Sequence, residues 1–220
     1  MRKFYSVALF VLVVAAAGCA TFTVAGQVQK GRQALLMNDP ETALAYFLEA
    51  ARGDPDYIYR GANFPESVWT YVGRGQYALG RYDEARRSFE RALSVYKDDA
   101  MARLYLGLAM VRSGDTEHGL EGIQMGLKGL ANWIEFLNRT EPYYPFWDPS
   151  ANIRKEIDKT LALVPDERIA SSLNTIVENA EWIGQQMEEE IDKVRRDRRR
   201  RFDRDLDGRR GLSFGLGFGF

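Results

Sequence analysis

One stretch constrains the fold of this chain more than any other: Glu66 to Asp99, ESVWTYVGRGQYALGRYDEARRSFERALSVYKDD. Trp69, Val72, Gly73 and Gln76 or Tyr77 recur at i, i+3, i+4 and i+7, the spacing of one helix face. Tyr82, Ala85, Phe89, Ala92 and Leu93 repeat that spacing on a second helix, with Gly80-Arg81 as the turn between the two. Small residues (Gly73, Ala85, Ala92) alternate with large ones (Trp69, Tyr82, Phe89), so two antiparallel helices can interdigitate closely. A lone hairpin of this kind cannot bury its own apolar face and needs neighbours.

The neighbours are visible in the numbering. Leu106-Gly107 follows Val72-Gly73 by 34 residues, and Gly114, Gly119, Ile123 and Gly126 follow Gly80, Ala85, Phe89 and Ala92 by the same interval. Upstream, Gly31, Ala43, Phe47, Ala50 and Pro55 keep the same order at an offset of 42. The eight extra residues match Ile58 to Pro65, read here as a loop because it carries Gly61, Asn63 and Pro65 and no periodicity. The central stretch resembles a tetratricopeptide repeat (TPR), whose signature is W-x2-L-G-x2-Y…A-x3-F…P. Trp69, Gly73, Tyr82, Ala85, Phe89 and Ala92 match it. Gln76 stands where an aromatic is usual, with Tyr77 next to it, and Lys97 replaces the proline. The resemblance implies an all-α solenoid of stacked helical hairpins: three repeats at 24–57, 66–99 and 100–133 within a block 24–140, a degenerate fourth helix pair, and a long C-terminal helix.

Successive helix residues turn by about 100°. In the second repeat Trp69, Val72, Gly73 and Gln76 therefore face the stack, and Ser67, Thr70, Arg74, Tyr77 and Ala78 face away. Equivalent positions are Ala25, Val28, Arg32, Leu35 and Leu36 in the first repeat, and Met101, Leu104, Leu108, Val111 and Arg112 in the third. In TPR proteins this second face lines a concave groove that holds a partner's peptide or helix. The resemblance thus implies a partner-binding groove of Arg32, Leu35, Leu36, Arg74, Tyr77, Leu104, Leu108, Val111 and Arg112. An apolar floor with a few guanidinium forks suits an apolar segment carrying a carboxylate. The alternative is that the chain's own C-terminal helices cover these leucines. In the third repeat Gly114, Gly119, Gly122, Gly126 and Gly129 crowd the second helix. Each interior glycine costs about 1 kcal/mol relative to alanine, and close approach of the following helix is the expected compensation.

The chain opens with Arg2-Lys3, an apolar run from Val7 to Ala17, and Ala16-Ala17-Gly18-Cys19. These are the parts of a secretory signal. The cysteine after small residues resembles a bacterial lipobox, although Ala16 stands where leucine is commoner. That resemblance implies a signal peptide over 1–18, lipidation of Cys19, a lipidated tether at 19–23, and attachment to the periplasmic face of the outer membrane. A plain signal peptide or an uncleaved helical anchor is the rival, but the strongly apolar core is about half the ~20 residues needed to span. Ala20 to Thr23 reach about 14 Å when extended, which keeps the repeats near the bilayer.

Beyond the repeats, residues 141–200 read as a capping loop and C-terminal helices. Trp133, Phe136, Tyr143, Tyr144, Phe146 and Trp147 cluster around Pro142, Pro145 and Pro149, and the prolines forbid a continuous helix. The cluster is either an aromatic binding or membrane-interface patch or a cap over the end of the solenoid; the cap is the reading taken. Asn152 to Leu163 is a helix with Ile153, Ile157, Leu161 and Val164 inward, stopped by Pro165-Asp166. A thirty-odd-residue helix follows, with Ile169, Leu173, Ile176, Val177, Ala180, Ile183, Met187, Ile191 and Val194 as its stripe.

Residues 201–220 are expected to be an Arg/Asp-rich and Gly/Phe-rich tail. Arg195 to Arg210 holds nine arginines against four aspartates, a local charge of +5. This is a solvated helix end or a contact for anionic head groups or an acidic partner. Asp203 to Gly208 mimics half a calcium loop, but Phe214 stands where the closing glutamate belongs. Leu212, Phe214, Leu216, Phe218 and Phe220 alternate with small residues, a period of two that suits pairing as an added strand on a partner or, in isolation, disorder.

Across all 220 residues the net charge is −1, so nothing in the overall balance marks a nucleic-acid binder. The single cysteine excludes an internal disulfide. There is one histidine, His118, and no glycine-rich phosphate loop after a strand. No catalytic or metal-binding constellation is visible and no cofactor is implied. Together the two resemblances imply a lipid-anchored TPR scaffold that binds a protein partner in envelope assembly or secretion. Two alternatives stand beside it: a structural subunit of an outer-membrane complex docking through its long helix and Phe-rich tail, and a carrier of an apolar ligand on the third-repeat face.

Overall fold

A computed structural model describes residues 23–140, 147–164 and 169–213. Among them lie eight helices and one two-stranded hairpin. Helix α1 (residues 23–36) and α2 (Pro40–Gly53) are followed by strands β1 (Ile58–Gly61) and β2 (Phe64–Ser67). Then come α3 (Val68–Ala78), α4 (Tyr82–Val95), α5 (Ala100–Arg112), α6 (Thr116–Thr140), α7 (Asn152–Leu163) and α8 (Ile169–Ser213). Two compact units divide the chain: residues up to 60 together with 65–129, and 61–64 together with 130 onward.

In the first unit the residues that carry the repeat in sequence close it in space. Gly73 lies so near Phe89 that an added Cβ would stand 2.5 Å from the ring. At offsets of 42 and 34, Gly31 meets Phe47 and Gly107 meets the Ile123 backbone in the same way, each under 3 Å. Phe47, Phe89 and Ile123 are wholly buried. A buried phenylalanine or isoleucine contributes about 1.5–3 kcal/mol, so each hairpin is locked by one large side chain or helix backbone seated on a glycine. The turns repeat as well. Asn38, Gly80 and Gly114 all take positive φ (58°, 72° and 95°) at the ends of α1, α3 and α5. Behind each, the next amide bonds back five residues: Asp39 to the Ala34 carbonyl, Arg81 to Gln76 and Asp115 to Met110, all at 2.9 Å. This is one helix C-cap used three times. Contacts of α2 with α3, α4 with α5, and α3 with α5 stack the hairpins side by side.

Three expectations change. The segment 58–65 is a β-hairpin, not a loop. Ala62 and Asn63 both have positive φ (51° and 67°), as a two-residue turn of type I′ requires. Tyr59 points inward and Arg60 outward. The third-repeat glycines serve the preceding helix rather than the following one. A Cβ on Gly126 would sit 2.5 Å from the Leu104 backbone, and Gly119 and Gly122 face Gly107 within 3 Å, so α5 and α6 approach backbone to backbone. Thr23, assigned to the tether, is already helical.

In the second unit Leu130, Ile134 and Leu137 bury the far half of α6, and α7 packs on α8. Ile153, Ile157 and Thr160 form the inner face of α7, while Leu161 and Val164 are only half buried. The helix turns by about 100° per residue, which brings position 160 beneath 153 and 157. Asp148 starts α7 by accepting the Ile153 and Arg154 amides at 3.1 and 3.0 Å, and its own amide donates to Glu190 of α8 at 3.0 Å. Asn138 holds Trp147 by both its backbone groups, at 3.1 and 3.0 Å. Phe64 lies 6.0 Å from both Trp133 and Trp147, an aromatic cluster on the tip of the hairpin.

The buried stripe of α8 runs through Ile176, Val177, Ala180, Ile183, Met187, Ile191 and Val194; residues 195–204 add no buried side chain, and the helix continues to Ser213. The expected tail boundary at 201 is therefore not a change of backbone. The calcium-like run from Asp203 to Gly208 is helical rather than looped, and Leu212 is helical rather than extended. Cys19 with residues 1–18, Tyr143, Tyr144, Phe146, Pro165-Asp166, Phe214, Leu216, Phe218 and Phe220 lie outside the described residues.

Candidate interaction surface

The nine expected groove residues divide into an inner and an outer set. Arg32, Arg74, Leu104 and Leu108 are buried, the two leucines completely. Leu35, Tyr77 and Val111 are half buried, and Leu36 and Arg112 are exposed. The face taken as an open floor is thus filled along most of α3 and α5. Polarity misled the reading, because the polar residues there serve one another.

Asp99 is the centre of that arrangement. It caps α5 by accepting the Ala102 amide at 2.9 Å. Its other oxygen reaches back one repeat to the Ser67 amide at 2.8 Å and the Thr70 hydroxyl at 2.6 Å. One carboxylate therefore ties the starts of α3 and α5 together. Burial raises its pKa above the usual carboxylate range, although these three bonds and Arg74 pull the other way. Beside it Tyr71 donates its hydroxyl to Glu66, Arg74 lies 3.8 Å from Glu66, and the Arg74 guanidinium stands 5.3 Å from the Tyr105 ring centre. In the first repeat Arg32 lies 5.6 Å from the Tyr59 ring centre and donates to Gln29 at 3.2 Å. Both arginines are structural cations held over aromatic faces, not forks presented to a ligand.

What stays open is the turn edge. Leu36 and Met37 are exposed where α1 ends, Met37 by 74%. At the next turn Tyr77 packs on Tyr82 and Tyr105 with ring centres 5.3 and 5.5 Å apart. Arg112, one repeat on, donates from Nε to the Tyr77 hydroxyl at 3.4 Å. Between these turns lies a shallow cleft lined by Gly80, Arg81, Tyr82, Asp83, Glu84, Arg112 and Ser113. Its rim is pinned by Ser113 to Asp83 at 3.3 Å and Arg86 to Asp115 at 3.8 Å. His118, exposed at the start of α6, contacts Asp115 at 2.8 Å; the carboxylate raises the imidazole pKa and is itself lowered by it. The edge therefore offers an apolar patch, an aromatic pair and charges of both signs, which is the chemistry of a polypeptide contact. Sequence reasoning missed Met37 and Tyr82 here because a helix-face argument stops where the helix does. The positive-φ turn at a fixed offset was the signal available.

Among the described residues no group of His, Cys, Asp and Glu could hold a metal ion, and no helix is long and apolar enough to cross a membrane.

The repeat geometry has a counterpart among known families. Residues 73–118, from within α3 to the start of α6, match the tetratricopeptide repeat family model. No curated protein sequence matches the chain. Among the solved structures that match is the type III secretion translocator chaperone SycD of Yersinia enterocolitica, 13% identical, covering 65% of this chain and 92% of that one with a TM-score of 0.47. The matched segment carries the closing glycine, the positive-φ turns and the packed helix pair that recur on either side of it, and the first unit folds as a TPR-like, all-α helical-repeat solenoid.

Proposed function

We propose that this chain is a non-catalytic scaffold whose turn edge holds a segment of a protein partner. In this reading a lipid on Cys19 fixes it to the periplasmic face of a bacterial outer membrane, where it serves envelope assembly or secretion. The observation that carries the scaffold is the threefold recurrence of one helix cap, at Asn38, Gly80 and Gly114, which presents neighbouring residues of successive repeats in the same way. The tether rests on Ala16-Ala17-Gly18-Cys19 behind an apolar run. Arg74→Glu, the substitution that an open groove would call for, tests nothing here because Arg74 is buried.

The test is photocrosslinking in intact cells from Met37 and Arg112, with exposed Arg87 of α4 as the control position. The same partner is expected from the first two and not from the third. Crosslinks equal from all three would remove the reading. Cys19→Ser is expected to release the chain from the membrane fraction.

A second reading, a structural subunit, is favoured by one feature: α8 continues past Val194 through residues 195–204, none of whose side chains is buried. Partner capture that survives changes at the turn edge and is lost on deleting residues 195–220 would select it. The apolar-carrier reading loses its support, since Leu104 and Leu108 are already buried.

A further inference from the structure

The end of α8 is unlike the rest of the molecule. Residues 195–204 hold seven arginines against two aspartates, a net of +5, while the whole chain carries −1. No buried stripe runs beneath them: Arg196, Arg199, Arg200, Arg201 and Arg204 are exposed, and Phe202 is 64% exposed. Arg195 and Arg198 lean back onto their own unit, to Asp192 at 3.4 Å and to Asn63 of the hairpin tip at 3.1 Å. Arg196, Arg200 and Arg204 stand at i, i+4 and i+8, a column about 12 Å long on one side of the helix.

We infer that the end of α8 docks on the surface of an anionic phospholipid bilayer. A membrane surface matches both halves of the feature. Negative head groups meet the arginine column, each basic residue adding its attraction over a Debye length. The interfacial hydrocarbon takes Phe202, which stands exposed among the arginines. An acidic protein would use the charges and leave the apolar half without a role. The contact is separate from the lipid reading of Cys19 and holds whether or not that residue is acylated.

The test uses the full chain with Cys19→Ser, which removes its only thiol, and Ser213→Cys labelled with a polarity-sensitive fluorophore. The probe reports locally, so attachment through the apolar N-terminal run does not move it. Phosphatidylglycerol-containing vesicles are expected to shift its emission to the blue, and phosphatidylcholine vesicles are not. Arg196→Gln/Arg200→Gln/Arg204→Gln is expected to weaken that partition about a hundredfold, with the circular dichroism of the protein unchanged. Raised salt is expected to weaken the parent in the same direction. No shift on anionic vesicles, or an equal shift on neutral ones, overturns the inference. So does a response confined to polyglutamate, which would assign the arginines to an acidic polypeptide.

Discussion

A side chain added at Gly107 has nowhere to go. Its Cβ would meet the Ile123 amide and the Gly119 carbonyl, both backbone atoms of the helix that closes the third repeat. At Gly73 the obstacle is the Phe89 ring, a side chain that can shift a little. Gly107→Ala is therefore expected to cost about 3 kcal/mol and Gly73→Ala less, about 1–2 kcal/mol, the range of overpacked cores. Chemical denaturation measures both, and Phe89→Leu is expected to recover part of the Gly73→Ala loss but none at Gly107. Equal costs at the two sites would contradict the backbone contact. Asp99 supplies the second prediction at this scale. Its folded pKa is raised by burial, so between the ordinary carboxylate range and that raised value the native state binds more protons than the unfolded one. Its contribution to stability therefore falls as pH rises through that window and is flat above it. Thr70→Val removes the 2.6 Å bond to the charged oxygen. It is expected to cost about 1.5–3 kcal/mol at neutral pH and to push the Asp99 window higher, which denaturation at a series of pH values would show. Such a carboxylate hides from sequence inspection: Asp99 reads as an ordinary helix cap, and nothing local says that its second oxygen serves a helix 32 residues earlier.

At the scale of the element, α8 is two helices in one. Ile183 and Ile191 are fully buried, whereas Phe202 stands largely in solvent. Ile191→Ala is expected to cost about 2–4 kcal/mol and Phe202→Ala to stay within about 0.5 kcal/mol, compared by thermal unfolding. A large loss at Phe202 would mean that the helix end is packed in the folded chain. The i, i+3, i+4 spacing showed where this stripe ends, but not that the backbone continues, since arginine is a good helix former and sequence periodicity sees only the apolar side. The hairpin β1–β2 escaped for a related reason. Four-residue strands give alternation too little length, and its turn is Ala62-Asn63 rather than a glycine pair. The repeats themselves were readable because offsets of 42 and 34 place glycine against a large residue three times, a pattern that survives the change from Phe89 to Ile123. The groove was not, because Thr70 and Arg74 lie four residues apart on a mostly apolar helix. Polar residues in that position are exposed only if no buried acid waits for them, and Asp99 and Glu66 do.

For the whole molecule, a solenoid's stability is the sum of its hairpins and the contacts between neighbours. In the first unit the second repeat is flanked on both sides, α3 by α2 and α5, and α4 by α5. It also holds Tyr71, Val72 and Phe89, all fully buried, and shares Asp99 with the third. The first repeat stands at the upstream end of the three. Native-state hydrogen exchange should then rank the amides by repeat rather than by helix propensity. Protection is expected to be greatest in α3 and α5, where the cap at Asp99 must break before either helix opens, and lower in α1. Within α8 it should be high through Val194 and fall away over 195–204, where no side chain is buried. Asp99→Ala should lower the protection of α3 and α5 together, by the same free energy, and leave α2 nearer its original value. If only α5 responded, the bonds from Asp99 to Ser67 and Thr70 would not couple the two repeats, and the row of hairpins would be a set of neighbours rather than a cooperative unit.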